Sequence, residues 1–293
     1  MKWDFNNLAY GPDESQKLSL NIPQKQEVHA IVYIHGGAYL FGTKAQYPMF
    51  LEDYAKDNIV ATIDYRLIEK DNDIKMTDML SDVHEALKKI TELSGTYNVT
   101  IKDFILAGHS AGGHIALLYG YKHFQKNEEL KIAACISLAG PTDFTDDLGW
   151  SKMTTWGGDL RSRLSFMSDM GTRLTGYEIE LTQGFWTKQK NYSSFKEYIT
   201  DISPVMYVNK MEKIPPTLLV HARADNQVPY SNAVRLNTAL DNTSVPHQLI
   251  TATGGADNHM LGRAVFADTA PPFLYEDQIW VAEAKKWIEK YLS

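Results

Sequence analysis

Short, almost unbroken apolar runs alternate along this chain with stretches whose apolar positions recur every three to four residues. The runs are "AIVYIH" (30–35), "IVATID" (59–64), "FILAG" (104–108), "AACISLA" (133–139), "TLLVHA" (217–222) and "HQLITA" (247–252). They are rich in β-branched residues and lack polar alternation, so they read as strands covered on both faces, and hence as a mostly parallel sheet. Helical periodicity fills the intervals at 44–57, 77–94, 111–124, 230–241 and 276–291. This rhythm predicts an α/β sandwich, a mostly parallel central sheet flanked by helices. "KLSLNIP" alternates instead and is expected to form an antiparallel edge strand.

Residues 141–203 interrupt the rhythm. They lie between two predicted core strands, contain no strand pattern, and are rich in Trp, Phe and Met, among them Trp150, Met153, Trp156, Phe166 and Trp186. So long an interval inside a compact domain predicts a helical cap inserted over a ligand site. With no repeat or low-complexity linker, residues 1–293 are expected to form a single domain carrying that insertion.

The formal charge of −7 makes nucleic acid or an anionic membrane an unexpected main partner. The single cysteine, Cys135, lies in an apolar run with no polar activator beside it and reads as a small core residue. The N-terminal stretch has no apolar segment of the secretory kind, and no run reaches the roughly 18 apolar residues of a membrane span. A cytoplasmic location is expected. The composition leaves room for a homo-oligomer.

The chemistry begins in "FILAGHSAGGHIALL" (104–118), where a strand breaks into Gly-His-Ser-Ala-Gly and resumes as a helix. G-x-S-x-G in that context is a nucleophile elbow: a turn so sharp that only small neighbours fit, with Ser110 at its apex above a helix N-terminus. A serine hydroxyl needs a base, and a base needs an orienting acid. The chain order serine, acid, histidine points to Asp225, just past "TLLVHA", and to His259, in the glycine-rich loop past "HQLITA". Both follow the carboxyl ends of strands, where catalytic groups of open α/β sheets collect. Among the rival acids, Asp143 follows the preceding strand, and Asp257 is too close in sequence to His259. Among the histidines, His109 is expected to point away from the serine, His35 to order a glycine loop, and His221 to lie within a strand.

An acyl-transfer site must also receive negative charge. "HGGAYLFG" (35–42) follows the first core strand, and its glycine-rich backbone can turn amides inward. The N–H groups of Gly37 and Ala38, with that of Ala111 from the elbow, are the expected oxyanion hole. Gly36, Tyr39, His109, Trp156 and Trp186 are candidate substrate contacts. No cluster has metal-ligand spacing, so no metal or cofactor is expected.

These residues together resemble the α/β-hydrolase fold, in particular the esterase and lipase group related to hormone-sensitive lipase and to feruloyl and acetyl-xylan esterases. The likeness runs from "YGPDESQKLSLNIP" through "HGGAYLFG", "IDYRL" and "GHSAGGHIA" to "ARADNQVP" and "DNHML". It places the family's nucleophile on Ser110, its acid on Asp225 and its base on His259. Three features depart from the pattern. The oxyanion loop has Ala38 where many relatives have a third glycine, which leaves its second amide open between Gly36 and Ala38. "IEKDND" replaces the usual proline-rich continuation after "DYRL", and "LGRAVFADTAPPFLYED" is long for a lead into the last helix.

The expectation is therefore a serine carboxylic-ester hydrolase for short-acyl esters of small or sugar-like alcohols. Arg161 and Arg163 in the insertion suit a hydroxylated alcohol. An amidase, arylformamidase or peptidase would use the same groups, and a non-catalytic ligand-binding member would keep the fold alone.

Overall fold

A computed structural model describes residues 2–69, 72–124, 129–151, 192–262 and 279–292. Eight strands form one sheet: β1 (Phe5–Ala9), β2 (Lys17–Leu20), β3 (Glu27–Ile34), β4 (Ile59–Ile63), β5 (Thr100–His109), β6 (Ile132–Leu138), β7 (Thr217–Ala222) and β8 (His247–Ala252). Their order across the sheet is β1-β2-β4-β3-β5-β6-β7-β8. β1 and β2 are antiparallel to their neighbours, and β4 through β8 pair in parallel. The six core strands fall where their apolar runs predict. "KLSLNIP", expected at the edge, lies one place in, and β1 is the edge. In β1 only Phe5 and Leu8 are even partly buried, because an edge strand of sequence FNNLA packs one thin face.

Alternation along the central strands feeds two cores. Val32 and Leu106 pack with the helices α1 (Met76–Thr96) and α2 (Ala111–His123) on one face. Ile31, Tyr33 and Ile105 pack with Trp280, Val281 and Trp287 of the C-terminal helix on the other. α2 is buried on all sides from Ala111 to Tyr121, because the sheet lies under it and other elements cover it. The helix expected at 44–57 shrinks to a 3₁₀ segment, Met49–Tyr54. Pro48 disfavours helical backbone at Tyr47, so helix cannot run through from 44.

β3 leaves the sheet toward β4 on one side, and β5 lies on its other side, with Ile34 opposite Gly108. The loop after β3 and the turn after β5 therefore emerge side by side at the carboxyl ends of adjacent strands, where the direction of winding switches. Of the expected cap, residues 141–151 and 192–203 are described; they include short helices at Asp147–Ser151 and Tyr192–Asp201. The remainder, with Trp156, Arg161, Arg163 and Trp186, lies outside the described residues. Among the described residues no helix is long and apolar enough to cross a membrane.

Candidate active site

Ser110 sits between β5 and α2 with φ 52° and ψ −122°. A non-glycine residue held at positive φ stores strain, which the surroundings must over-determine. Here they do: the Ser110 N–H donates to Leu138 O at 2.8 Å and its carbonyl accepts from His114 N at 3.1 Å. The turn also needs a bare backbone behind it. A Cβ on Gly112 would stand 2.0 Å from the Ile34 carbonyl oxygen, so no other residue fits without moving β3.

The structure brings Ser110, His259 and Asp225 into one hydrogen-bonded line. Ser110 Oγ lies 3.0 Å from His259 Nε2, and His259 Nδ1 lies 2.9 Å from Asp225 Oδ2. Nδ1–H donating to the carboxylate leaves Nε2 as the acceptor for the serine proton. Asp225 and His259 are buried, while Ser110 is partly exposed. Asp225 also accepts the N–H groups of Gln227 (2.8 Å) and Val228 (2.9 Å) at Oδ1. Burial alone would raise its pKa. The facing His259 imidazole and the hydrogen bonds from His259 and His221 outweigh that and hold the carboxyl well below the usual carboxylate range.

The glycine loop lies against the serine. A Cβ on Gly36 would stand 3.2 Å from that of Ser110. Gly37 has φ 118°, and Leu40 N–H returns to its carbonyl at 2.9 Å, so the loop is a tight turn with Ala38 (φ 52°) at its bend. His35 orders it as expected: Nδ1–H donates to Gly36 O at 2.7 Å, and the ring stacks on Tyr65 at 4.5 Å. Ala111 opens α2, so its N–H has no acceptor within the helix. A cavity of about 260 Å³ opens here, lined by Gly36, Gly37, Ala38, His109, Ser110 and His259. Among the described residues, Tyr33, Phe41, Gln46, Gln227 and Met260 also line it and were not singled out from sequence, although Phe41 and Met260 adjoin the motifs.

One expected substrate contact is corrected. Tyr39 is buried, and its hydroxyl donates to His114 Nδ1 at 2.8 Å, away from the cavity. His114 Nε2–H in turn donates to Ile202 O at 2.6 Å. His109 does line the cavity, but its Nε2 is spent on the His259 carbonyl at 2.9 Å. The rival acid Asp143 is fully buried and used elsewhere, accepting from Arg235 Nε and from Thr145 N and Oγ1. Asp257 accepts from Ala224 N. Cys135 is buried in the core, and burial pushes its thiol pKa up. Among the described residues, no cluster of three or more His, Cys, Asp or Glu side chains is placed to hold a metal ion.

Known proteins resemble this chain in sequence and in fold. The chain is 32% identical over 115 residues to a probable isoprenylcysteine alpha-carbonyl methylesterase from Oryza sativa subsp. japonica, covering 38% of this chain and 27% of the relative. It is 31% identical over 118 residues to the esterase LipU of Mycobacterium tuberculosis, covering 40% and 37%. The matches thus span about a quarter to a third of these curated relatives. Among solved structures, esterase B from Lactobacillus rhamnosis superposes with a TM-score of 0.67 at 16% identity, covering 99% of this chain and 84% of that one. An acetyl ester-xyloside bifunctional hydrolase from Caldicellulosiruptor lactoaceticus superposes with a TM-score of 0.64 at 20% identity, covering 94% and 90%. The BD-FAE family model matches residues 18–240, most of the chain, and the protein belongs to that family and has the α/β-hydrolase fold.

Proposed function

We propose that this protein is a serine carboxylic-ester hydrolase working through an acyl-enzyme on short-acyl esters of small or sugar-like alcohols. One observation carries the reading: the unbroken line from Ser110 Oγ through the His259 ring to the buried Asp225 carboxylate. Ser110 Oγ attacks the acyl carbon as its proton passes to His259 Nε2. The oxyanion accepts hydrogen bonds from Ala111 N–H and from the Gly37–Ala38 turn, with the positive end of α2 adding a favourable field. Collapse expels the alcohol, which takes the proton back from Nε2. Water then repeats the sequence and releases the acid. Asp225 fixes the tautomer and balances the imidazolium.

The substrate class follows from the cavity. Its volume of about 260 Å³ is below the roughly 300–1,000 Å³ of sites for drug-sized ligands, which suits an acetyl-to-butyryl group. Its wall includes Phe41, which is 51% exposed, and the polar side chains of Gln46 and Gln227, a mixed aromatic and polar lining that suits a hydroxylated alcohol. The names of structural neighbours, an acetyl ester-xyloside hydrolase and a carbohydrate esterase, agree with this. The test is kcat/KM for p-nitrophenyl esters from acetyl to palmitoyl, beside an acetylated sugar, a feruloyl ester and an anilide. A maximum at two to four carbons is expected; a maximum at ten carbons or more, or a preference for the anilide, overturns the assignment.

A further inference from the structure

Asp225 has a second histidine. At the same oxygen that His259 contacts, His221 Nε2 lies 3.0 Å from Asp225 Oδ2. The same nitrogen is 3.1 Å from the Val228 carbonyl, so its one N–H is shared between the carbonyl and the carboxylate. His221 is the penultimate residue of β7 and is buried, with its ring edge-on to Tyr230 at 5.9 Å. It therefore spans the turn that the chain makes between β7 and Val228, and that turn carries the acid. The Val228 N–H is itself a donor to Asp225 Oδ1 at 2.9 Å. His221 thus holds the carboxylate at one oxygen directly, and at the other through Val228, whose carbonyl it anchors and whose N–H donates to Oδ1.

A carboxylate removed from water is sensitive to the loss of any donor, because the vacated lone pair has no solvent to turn to. An apolar residue would pack a strand end equally well; this position instead presents an N–H to the acid. We propose that His221 is a positioning residue, fixing the Asp225 carboxylate in the orientation that serves His259. The inference rests on the serine-hydrolase reading above. It also separates two effects. His221 does not line the cavity, whereas Gln227, in the same turn, does. Loss of carboxylate orientation lowers kcat alone, whereas general loosening of the turn moves Gln227 and changes KM as well.

The test uses the full chain with p-nitrophenyl acetate and compares wild type with His221→Leu, His221→Asn, His221→Gln, Asp225→Asn and the double variant His221→Leu/Asp225→Asn. Folding is checked by circular dichroism. His221→Leu should lower kcat by about 10- to 100-fold with KM within about twofold. The glutamine amide reaches the place of Nε2, so His221→Gln should recover most of that loss. His221→Asn is too short and should not. Because His221 acts through Asp225, the double variant should be no worse than Asp225→Asn. The inference is overturned if His221→Leu keeps kcat within about twofold of wild type, if glutamine is no better than leucine, if KM rises in step with the loss of kcat, or if the double variant loses the full product of both factors. Should the leucine variant not fold, the Gln–Asn pair decides, with an advantage of at least about fivefold for glutamine required. Ser110→Ala separates the two levels. If it stays active, the serine-hydrolase reading itself fails. If it is inactive while the His221 variants match wild type, that reading stands and this inference falls.

Discussion

Protonating His114 should unfasten the glycine loop after β3 from α2, and the cost follows from the structure. The imidazole is fully buried, accepting from Tyr39 of the loop at Nδ1 and donating to Ile202 O from Nε2. A charged ring has no acceptor for its second proton there, because Tyr39 would have to withdraw its own. Burial pushes the pKa down from 6.5 to about 4, with the Ile202 carbonyl opposing the shift only in part. The folded value is depressed, so the stabilisation is complete above the unfolded pKa near 6.5 and drains away as pH falls toward 4. At about 1.4 kcal/mol per pH unit, the loss between pH 7 and pH 4.5 is about 2 kcal/mol. The perturbation is His114→Gln, which offers an acceptor and a donor but cannot charge. The assay is urea unfolding followed by tryptophan fluorescence at pH 7, 5.5 and 4.5. Groups that titrate in both proteins cancel in the difference. The stability gap between wild type and variant should shift by about 2 kcal/mol in favour of the variant as pH falls. A gap constant to within about 0.5 kcal/mol over that range would refute the reasoning.

Two further outcomes follow from the placement of the acids and of Tyr39. Asp225→Asn should leave the fold intact but lower kcat by about 10³- to 10⁴-fold, because the histidine tautomer is no longer fixed. Asp143→Asn should weaken folding through its Arg235 and Thr145 partners while leaving kcat within about tenfold; steady-state kinetics beside thermal melts distinguish the two, and reversed effects would move the acid to the earlier strand. Tyr39→Phe should cost about 1–3 kcal/mol of stability by orphaning His114 Nδ1, with KM unchanged because the hydroxyl faces the core. A raised KM with undiminished stability would return Tyr39 to the substrate.

The sheet and the elbow were legible in the sequence for a single reason. A strand buried on both faces has no polar face to obscure its run, and a turn as tight as 108–112 admits few residue types. Asp225 and His259 were legible because loops at strand ends carry them in a fixed chain order. β1 was not legible, since an edge strand such as FNNLA carries two asparagines on a ribbon covered along one thin face. The segment 44–57 misled because its aromatic spacing fits a helix that Pro48 prevents. Tyr39 misled because a bend at Ala38 turns the next side chain inward, and adjacency to a motif does not tell which way a side chain points. His221 was hidden inside an apolar run: its contact with Asp225 exists only because the chain folds back after β7, four residues on. The aromatics at Trp156 and Trp186 lie outside the described residues.

The central claim is that Ser110 is the nucleophile, and active-site labelling tests it most directly. Wild-type protein, Ser110→Ala and His259→Ala are each incubated with a fluorophosphonate probe, and the modified peptide is identified by mass spectrometry alongside kcat on p-nitrophenyl acetate. One phosphonyl group is expected on Ser110 in wild type and none in Ser110→Ala. A kcat lower by about 10⁴- to 10⁶-fold is expected in either variant, and the double variant Ser110→Ala/His259→Ala should be no worse than the singles. Labelling at another residue, or hydrolysis by Ser110→Ala within about tenfold of wild type, would contradict that claim.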